Sequence, residues 1–225
     1  REELSDHFEA LSDDDDIRVI IITGNEKVFI AGADLKEMAS RGTIDWSLFD
    51  ARRMNRAISA CPKPIISAIN GFALGGGFEL ALSADLIIAA QHASFGLPEP
   101  RVGLLAGAGG VHRLPRQIPY HIAMGVILAG KRLSAEEGLR YGLVNEVVAS
   151  ADLLDTAHHW AAEILKGAPL SVQASKEATV KGLDMPRDHA LDAVFATQSR
   201  MLTSQDYIEG PRAFAQKRTP QWQGK

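Results

Sequence analysis

The sequence predicts an α/β protein with a helical final third, and three observations carry that prediction. Apolar, β-branched runs at 17–22, 65–69 and 86–90 each read as a buried strand. Small-residue or glycine-rich loops recur at 31–34, 75–77 and 103–110, and the first two open helices. From Ala151 onward the apolar spacing is helical throughout. Strand–loop–helix units repeating about every 45 residues imply an α/β core whose loops gather at one edge, where a site can form.

Size and charge narrow the function. At 225 residues and 46% hydrophobic content the chain can bury a real core, as one domain with an appendage. Lys plus Arg number 24 against 28 Asp plus Glu, a net charge of −4, which favours neither nucleic acid nor an acidic membrane surface as partner. The single cysteine, Cys61, excludes an internal disulfide and a cysteine zinc cluster, and fits a reducing compartment. No apolar run reaches the ~18 residues of a membrane span.

Taken in order, residues 2–11 place Leu4, Phe8 and Leu11 at amphipathic-helix spacing. Asp13 to Asp16 end it; without EF-hand spacing they read as a solvated turn. Strand 17–22 closes at Thr23-Gly24-Asn25, Val28-Phe29-Ile30 extends briefly, and a helix starts at Leu35. A helix over 44–60 ends at Pro62 and Pro64. Strand 65–69 leads through Asn70-Gly71 to Gly75-Gly76-Gly77 and a helix over 78–84. Strand 86–90 is followed by a strand end and turn over 93–100. A helix over 118–129 ends at Gly130. The run Gly125 to Arg132 falls one residue short of a phosphate-binding loop and follows a helix, so Gly130 reads as a C-cap. Ser134 reads as an N-cap. Helices are then expected over 151–166, 171–182, 185–199 and 206–216. With no sheet of their own, these suggest oligomerisation.

Glycines without Cβ atoms let a ligand approach backbone N–H groups, and the first amides of a helix have no intrahelical partner. The 75–77 loop therefore favours an oxygen that becomes anionic during a reaction. Glu79 in the following turn has two readings. It either complements the helix dipole, worth about 0.3–1 kcal/mol, or handles protons. The 31–34 loop and Glu99 complete a set: two backbone donors converging on one carbonyl oxygen, with two carboxylates beside it. Nucleophilic alternatives are weak, since there is no G-x-S-x-G elbow and no H-E-x-x-H spacing. His92, His112, His121 and His158-His159 read as structural or exposed.

Four motifs in order, Ile30-Ala31-Gly32-Ala33-Asp34-Leu35-Lys36-Glu37-Met38, Asn70-Gly71-Phe72-Ala73-Leu74-Gly75-Gly76-Gly77-Phe78-Glu79-Leu80, Phe95-Gly96-Leu97-Pro98-Glu99 and Gly107-Ala108-Gly109-Gly110, resemble the enoyl-CoA hydratase/isomerase (crotonase) family. The resemblance runs from about Ile17 to the C-terminus. It implies a crotonase-like spiral of ββα units over 1–150 and a helical oligomerisation region over 151–225, building a homotrimer or a dimer of trimers. It also implies an oxyanion hole from the N–H groups of Ala33 and Gly76, and catalytic glutamates at Glu79 and Glu99. Ala31, Gly32, Asp34 and Lys36 match the loop passing coenzyme A, Gly107 a loop near the acyl chain, and Lys217 a basic position near the CoA phosphate of an adjacent subunit.

Two carboxylates favour hydration over isomerisation, because water addition needs one group to orient water and another to protonate Cα. The expectation is an enoyl-CoA hydratase with no metal and no cofactor, coenzyme A being part of the substrate. It is expected in a bacterial cytoplasm or, failing that, a mitochondrial matrix. The rivals are a carnitinyl-CoA dehydratase or an isomerase of the same fold, and, from another class, a non-catalytic binding or scaffold member acting on RNA. A dinucleotide oxidoreductase lacks the G-x-G-x-x-G signal after strand 17–22. Trp46, Phe49, Met54, Leu97, Leu104 and Leu105 are the expected apolar surroundings of the acyl chain. Family chains normally begin with a hairpin of roughly 30 residues that is absent before Arg1, so a trimmed chain is expected.

Overall fold

The computed structural model of the chain describes residues 2–25, 27–32, 34–40 and 51–225. Helix α1 (Glu2–Asp13) leads to strands β1 (Ile20–Thr23) and β2 (Val28–Ile30), then helices α2 (Leu35–Ser40) and α3 (Ala51–Ala60). Strands β3 (Ile65–Ile69) and β4 (Phe72–Leu74) precede α4 (Gly76–Ala81), and β5 (Leu86–Ala90) and β6 (Ser94–Gly96) precede a 3-10 turn at Glu99–Val102. Then come α5 (Gly110–Gln117), α6 (Tyr120–Ala129), β7 (Leu133–Ser134), α7 (Ala135–Arg140) and β8 (Glu146–Val148). Helices α8 (Leu153–Leu165), α9 (Pro169–Gly182), α10 (Arg187–Asp192), α11 (Ala196–Leu202) and α12 (Gln205–Ala215) complete the chain.

The topology is the expected spiral. One sheet runs β1-β3-β5-β8 and the other β2-β4-β6-β7, so β1 to β6 alternate between the sheets with each pair followed by helical turns, while β7 stays in the sheet of β6 and β8 returns to the first. Within the second sheet β2, β4 and β6 are parallel, and β7 is antiparallel to β6. Strand β3 is buried at every residue and pairs with β5 from Ile66–Leu86 to Ile69–Ala89, as expected of a parallel strand covered on both faces. These strands are short, and polar side chains prolong their ladders. Asp85 accepts from the amide of Ile65, Asn145 from that of Ile87, and Asn70 from that of Gly24. Phe78 of α4 and Phe95 of β6 meet with ring centroids 5.4 Å apart, fully buried, which fixes α4 to the sheet.

The chain resolves into two compact units, Arg1–Ala10, Ile21–Ala60 and Ile65–His158 in one, and Leu11–Ile20, Cys61–Pro64 and His159–Lys225 in the other. In the second, Lys63 is buried and donates to the carbonyls of Leu11 and Asp14 at the end of α1, while Cys61 is a buried thiol. The C-terminal segment is laced down: Asp206 accepts from the amides of Gln223 and Gly224, Glu209 from Arg218 and Gln221, and Trp222 donates to Lys166 O.

Several elements differ from expectation. The first strand begins at Ile20, because Ile17 is tied into a turn by its bond to Asp14 O. The helix expected over 118–129 is α6, starting at Tyr120, and a further helix that was not expected, α5, precedes it, carrying Pro115 inside it and ending where Ile118 becomes extended. The helix expected over 185–199 breaks at Ala193, and α11 restarts with Thr197 N donating to Glu177 of α9. The ammonium of Lys181 and, after it, that bond hold the Glu177 carboxyl down to about 2. Gly130 is the left-handed C-cap of α6 and Ser134 forms a reciprocal capping box with Glu137, both as read from the sequence.

Candidate active site

Because β2, β4 and β6 are parallel neighbours, the loops leaving their C-terminal ends emerge at one edge of the sheet. Those loops are 31–34, Gly75 with the start of α4, and the turn carrying Glu99. Gly75 and Gly32 both have positive φ, +54° and +97°. A Cβ on Gly32 would lie 3.1 Å from Leu74 O and 3.6 Å from Gly76 N, so Gly32 lies against the turn holding the expected donor. A Cβ on Gly75 would stand 3.0 Å from Glu99 Oε1, and one on Gly76 would stand 4.0 Å from Glu79 Oε2. The two carboxylates therefore flank one glycine turn. Gly76 is the first residue of α4. Ala33, the other expected donor, lies outside the described residues, as do Trp46 and Phe49.

The glutamates sit in different environments. Glu79 is 4% exposed, and its Oε1 accepts from Gly110 N at 2.9 Å. Behind that contact lies Arg113 of α5, whose Nη2 donates to Ser59 Oγ at 2.9 Å and Nη1 to Ala108 O at 3.3 Å. Burial lowers the Arg113 pKa, and the charge of Glu79 opposes that fall. Glu99 is half-buried; its Oε2 is enclosed and makes no hydrogen bond among the described residues. Burial raises the Glu99 pKa, partly offset by a backbone hydrogen bond, so its neutral form gains.

That shift has a sign for stability. A carboxyl with a raised folded pKa binds more protons in the folded state, so it lowers stability as pH rises past its unfolded value. Glu99→Gln is expected to melt roughly 1–3 °C above the parent at pH ~8, the gain vanishing as pH falls towards ~4. Thermal melts across that range check it; an equal or lower melting temperature at the alkaline end would contradict the assignment of burial as the cause.

The remaining expected site residues are placed as follows. Ala31, Gly32, Asp34 and Lys36 are exposed, and Asp34 Oδ1 accepts from Lys36 N at 2.8 Å. Gly107 is exposed in the turn that presents Gly110 N. Met54 and Leu97 are buried in the core, whereas Leu105 is 66% exposed. Lys217, with φ +53°, belongs to the second unit and lines a cavity of about 630 Å³ with Lys166, Arg218, Pro220 and Trp222. Sequence reasoning missed Arg113, because a lone arginine on a short helix ordinarily faces water. Among the described residues no group of three or more His, Cys, Asp or Glu could hold a metal, and no helix is long and apolar enough to cross a membrane.

Comparison with known proteins identifies the family. A family profile described as enoyl-CoA hydratase/isomerase matches residues 1–225. The carnitinyl-CoA dehydratase of Salmonella arizonae is 42% identical over 237 residues, covering 98% of this chain and 87% of its own. That of Escherichia coli is 42% identical over 229 residues, covering 99% and 88%. Among solved structures, the enoyl-CoA hydratase from Bacillus anthracis aligns with a TM-score of 0.92 at 38% identity, covering 100% of this chain and 88% of that one. The enoyl-CoA hydratase from Mycobacterium tuberculosis gives 0.90 at 39%, covering 99% and 87%.

Proposed function

The chain belongs to the enoyl-CoA hydratase/isomerase family, and from that premise we propose that it adds water reversibly to a trans-2-enoyl-CoA, giving the 3-hydroxyacyl-CoA. The observation that carries this reading is the pair of carboxylates on one glycine turn, Glu99 against Gly75 and Glu79 beside Gly76. Glu79, buried and held by an amide, takes a proton from water as the water oxygen bonds to C3. The alkene electrons move towards the thioester oxygen, which accepts from the N–H groups of Ala33 and Gly76, each worth roughly 3–4 kcal/mol in the transition state. C2 then takes its proton from Glu99, whose burial favours the protonated form. Proton exchange with solvent restores both carboxyls. Dehydration runs through the same groups.

On this reading Ala31, Gly32, Asp34 and Lys36 pass the coenzyme A, Gly107 borders the acyl chain, and Lys217 meets the CoA phosphate of an adjacent subunit in a homotrimer or dimer of trimers. No cofactor is required, since the thioester polarises its own double bond. The bacterial relatives favour a bacterial cytoplasm as its location.

A second reading, dehydration of carnitinyl-CoA, is favoured by the names of the 42%-identical relatives. It needs the same glutamates plus a site for a quaternary ammonium group, for which aromatic faces are the usual solution. Purified protein assayed with crotonyl-CoA, longer 2-enoyl-CoAs and crotonobetainyl-CoA separates the two. The expected result is hydration of unsubstituted enoyl-CoAs with kcat/KM at least about tenfold above crotonobetainyl-CoA, a gap of ~1.4 kcal/mol. The reverse order establishes the second reading, and turnover of none of them defeats both.

A further inference from the structure

Arg113 has no task in the hydration just described, yet the fold holds its guanidinium at two points. Its Nη2 reaches Ser59 Oγ on α3 and its Nη1 the carbonyl of Ala108 in the glycine turn. Gly109 of that turn has φ +111°, and a Cβ there would fall 2.2 Å from Nη1. The positive φ favours glycine at 109, and any side chain there would have to displace this guanidinium. The next amide, Gly110 N, is the one that donates to Glu79 Oε1, and a Cβ on Gly110 would lie 3.1 Å from that oxygen. Cation, turn, amide and carboxylate are thus stacked in sequence.

Among the described residues of the elements that pack on α4, the other charged groups differ from this cation. Strands β2 and β4, which pack on α4, carry no ionisable side chain, His112 and Arg116 of α5 are exposed, and Glu99, which approaches the same glycine turn, is a carboxyl rather than a cation. We infer that Arg113 is a positioning residue: it clamps the 107–110 turn so that the Gly110 amide orients Glu79, and its charge keeps Glu79 ionised as the base for water. The inference rests on the hydration reading above. It assigns the two carboxyls their opposite roles, with Glu79 stabilised as the anion and Glu99 as the acid.

The test is the pH dependence of crotonyl-CoA hydration by Arg113→Met and Arg113→Lys, with melting curves to establish folding. Removing a nearby cation disfavours the ionised carboxylate, so in Arg113→Met the acid limb of kcat should move to higher pH and kcat should fall roughly 10–100-fold, with KM within about threefold. Arg113→Lys should keep the acid limb but lose about tenfold in kcat, because an ammonium cannot span Ser59 and Ala108 as a planar fork does. In a Glu79→Gln background, Arg113→Met should change the residual rate by less than about threefold, since the two act as a unit. An unmoved acid limb, or a full further loss in the Glu79→Gln background, overturns the inference. Should Arg113→Met fail to fold, Ser59→Ala decides: it removes one anchor at an exposed position, and an unchanged kcat and acid limb there also overturns it. Parent-like hydration by Glu79→Gln alone instead defeats the hydration reading, whatever Arg113 does.

Discussion

Replacing Glu99 by glutamine is expected to lower crotonyl-CoA hydration by roughly 10²–10⁴-fold while leaving the fold intact. The amide has the carboxyl's shape, so the contact over Gly75 and the packing of the 3-10 turn survive. What it lacks is a proton it can give up. Without that proton at C2 the enolate formed by water attack reverts, and the oxyanion donors alone support only the residual rate. Glu79→Gln should fall by a similar factor for a different reason, since water is no longer deprotonated as it attacks C3. The two variants differ in one respect: isomerisation needs a single carboxylate that shuttles a proton, so Glu79→Gln should retain an isomerase side reaction that Glu99→Gln loses. Steady-state rates with crotonyl-CoA and a 3-enoyl-CoA on the folded variants distinguish them. Hydration within about tenfold of the parent by Glu99→Gln would remove it from the mechanism.

These residues were legible in the sequence because their positions follow from backbone requirements. Three consecutive glycines after an apolar run announce a turn in which main chain must come close to something, and Glu79 and Glu99 each stand just beyond a strand of the same parallel sheet. The spiral itself was legible through its resemblance, while β4, β7 and β8 were not, being two or three residues long and too short for any period to show. Helix α5 was hidden by Pro115, which reads as a breaker, although the helix tolerates it. The break between α10 and α11 was equally hidden, because it is capped by Glu177 from another helix, a contact far away in sequence. Arg113 belongs to the same class. Its meaning comes from Ser59, Gly109 and Glu79 meeting in space, and no local pattern around it signals that.

Gly77→Ala is expected to abolish hydration and destabilise the protein together, because here the obstruction is backbone. A Cβ on Gly77 would fall 2.0 Å from Ile30 O, 2.6 Å from Ile30 C and 2.7 Å from Ile30 Cβ. The second residue of α4 is thus packed directly onto the last residue of β2, and neither can give way as a side-chain tip could. One methyl must push α4 and β2 apart. That motion strains the parallel β2–β4 pairing and displaces both loops that leave these elements, the one holding Gly76 and the one at 31–34. Overpacking of this kind costs about 3 kcal/mol or more, a fall of roughly 6–12 °C in Tm for a chain of this size. A displacement of about 1 Å between catalytic groups costs on the order of 10²-fold in rate even where the fold survives. Gly125→Ala supplies the contrast: it lies within α6, and a Cβ there would meet nothing within 4 Å, so alanine should raise stability by about 0.5–1 kcal/mol and leave hydration unchanged. Melting curves and crotonyl-CoA rates on both variants test the pair. A Gly77→Ala protein with the parent's Tm and rate would mean that the start of α4 is not held against β2 as described, and the approach of Gly32 to Gly76 would lose its physical basis.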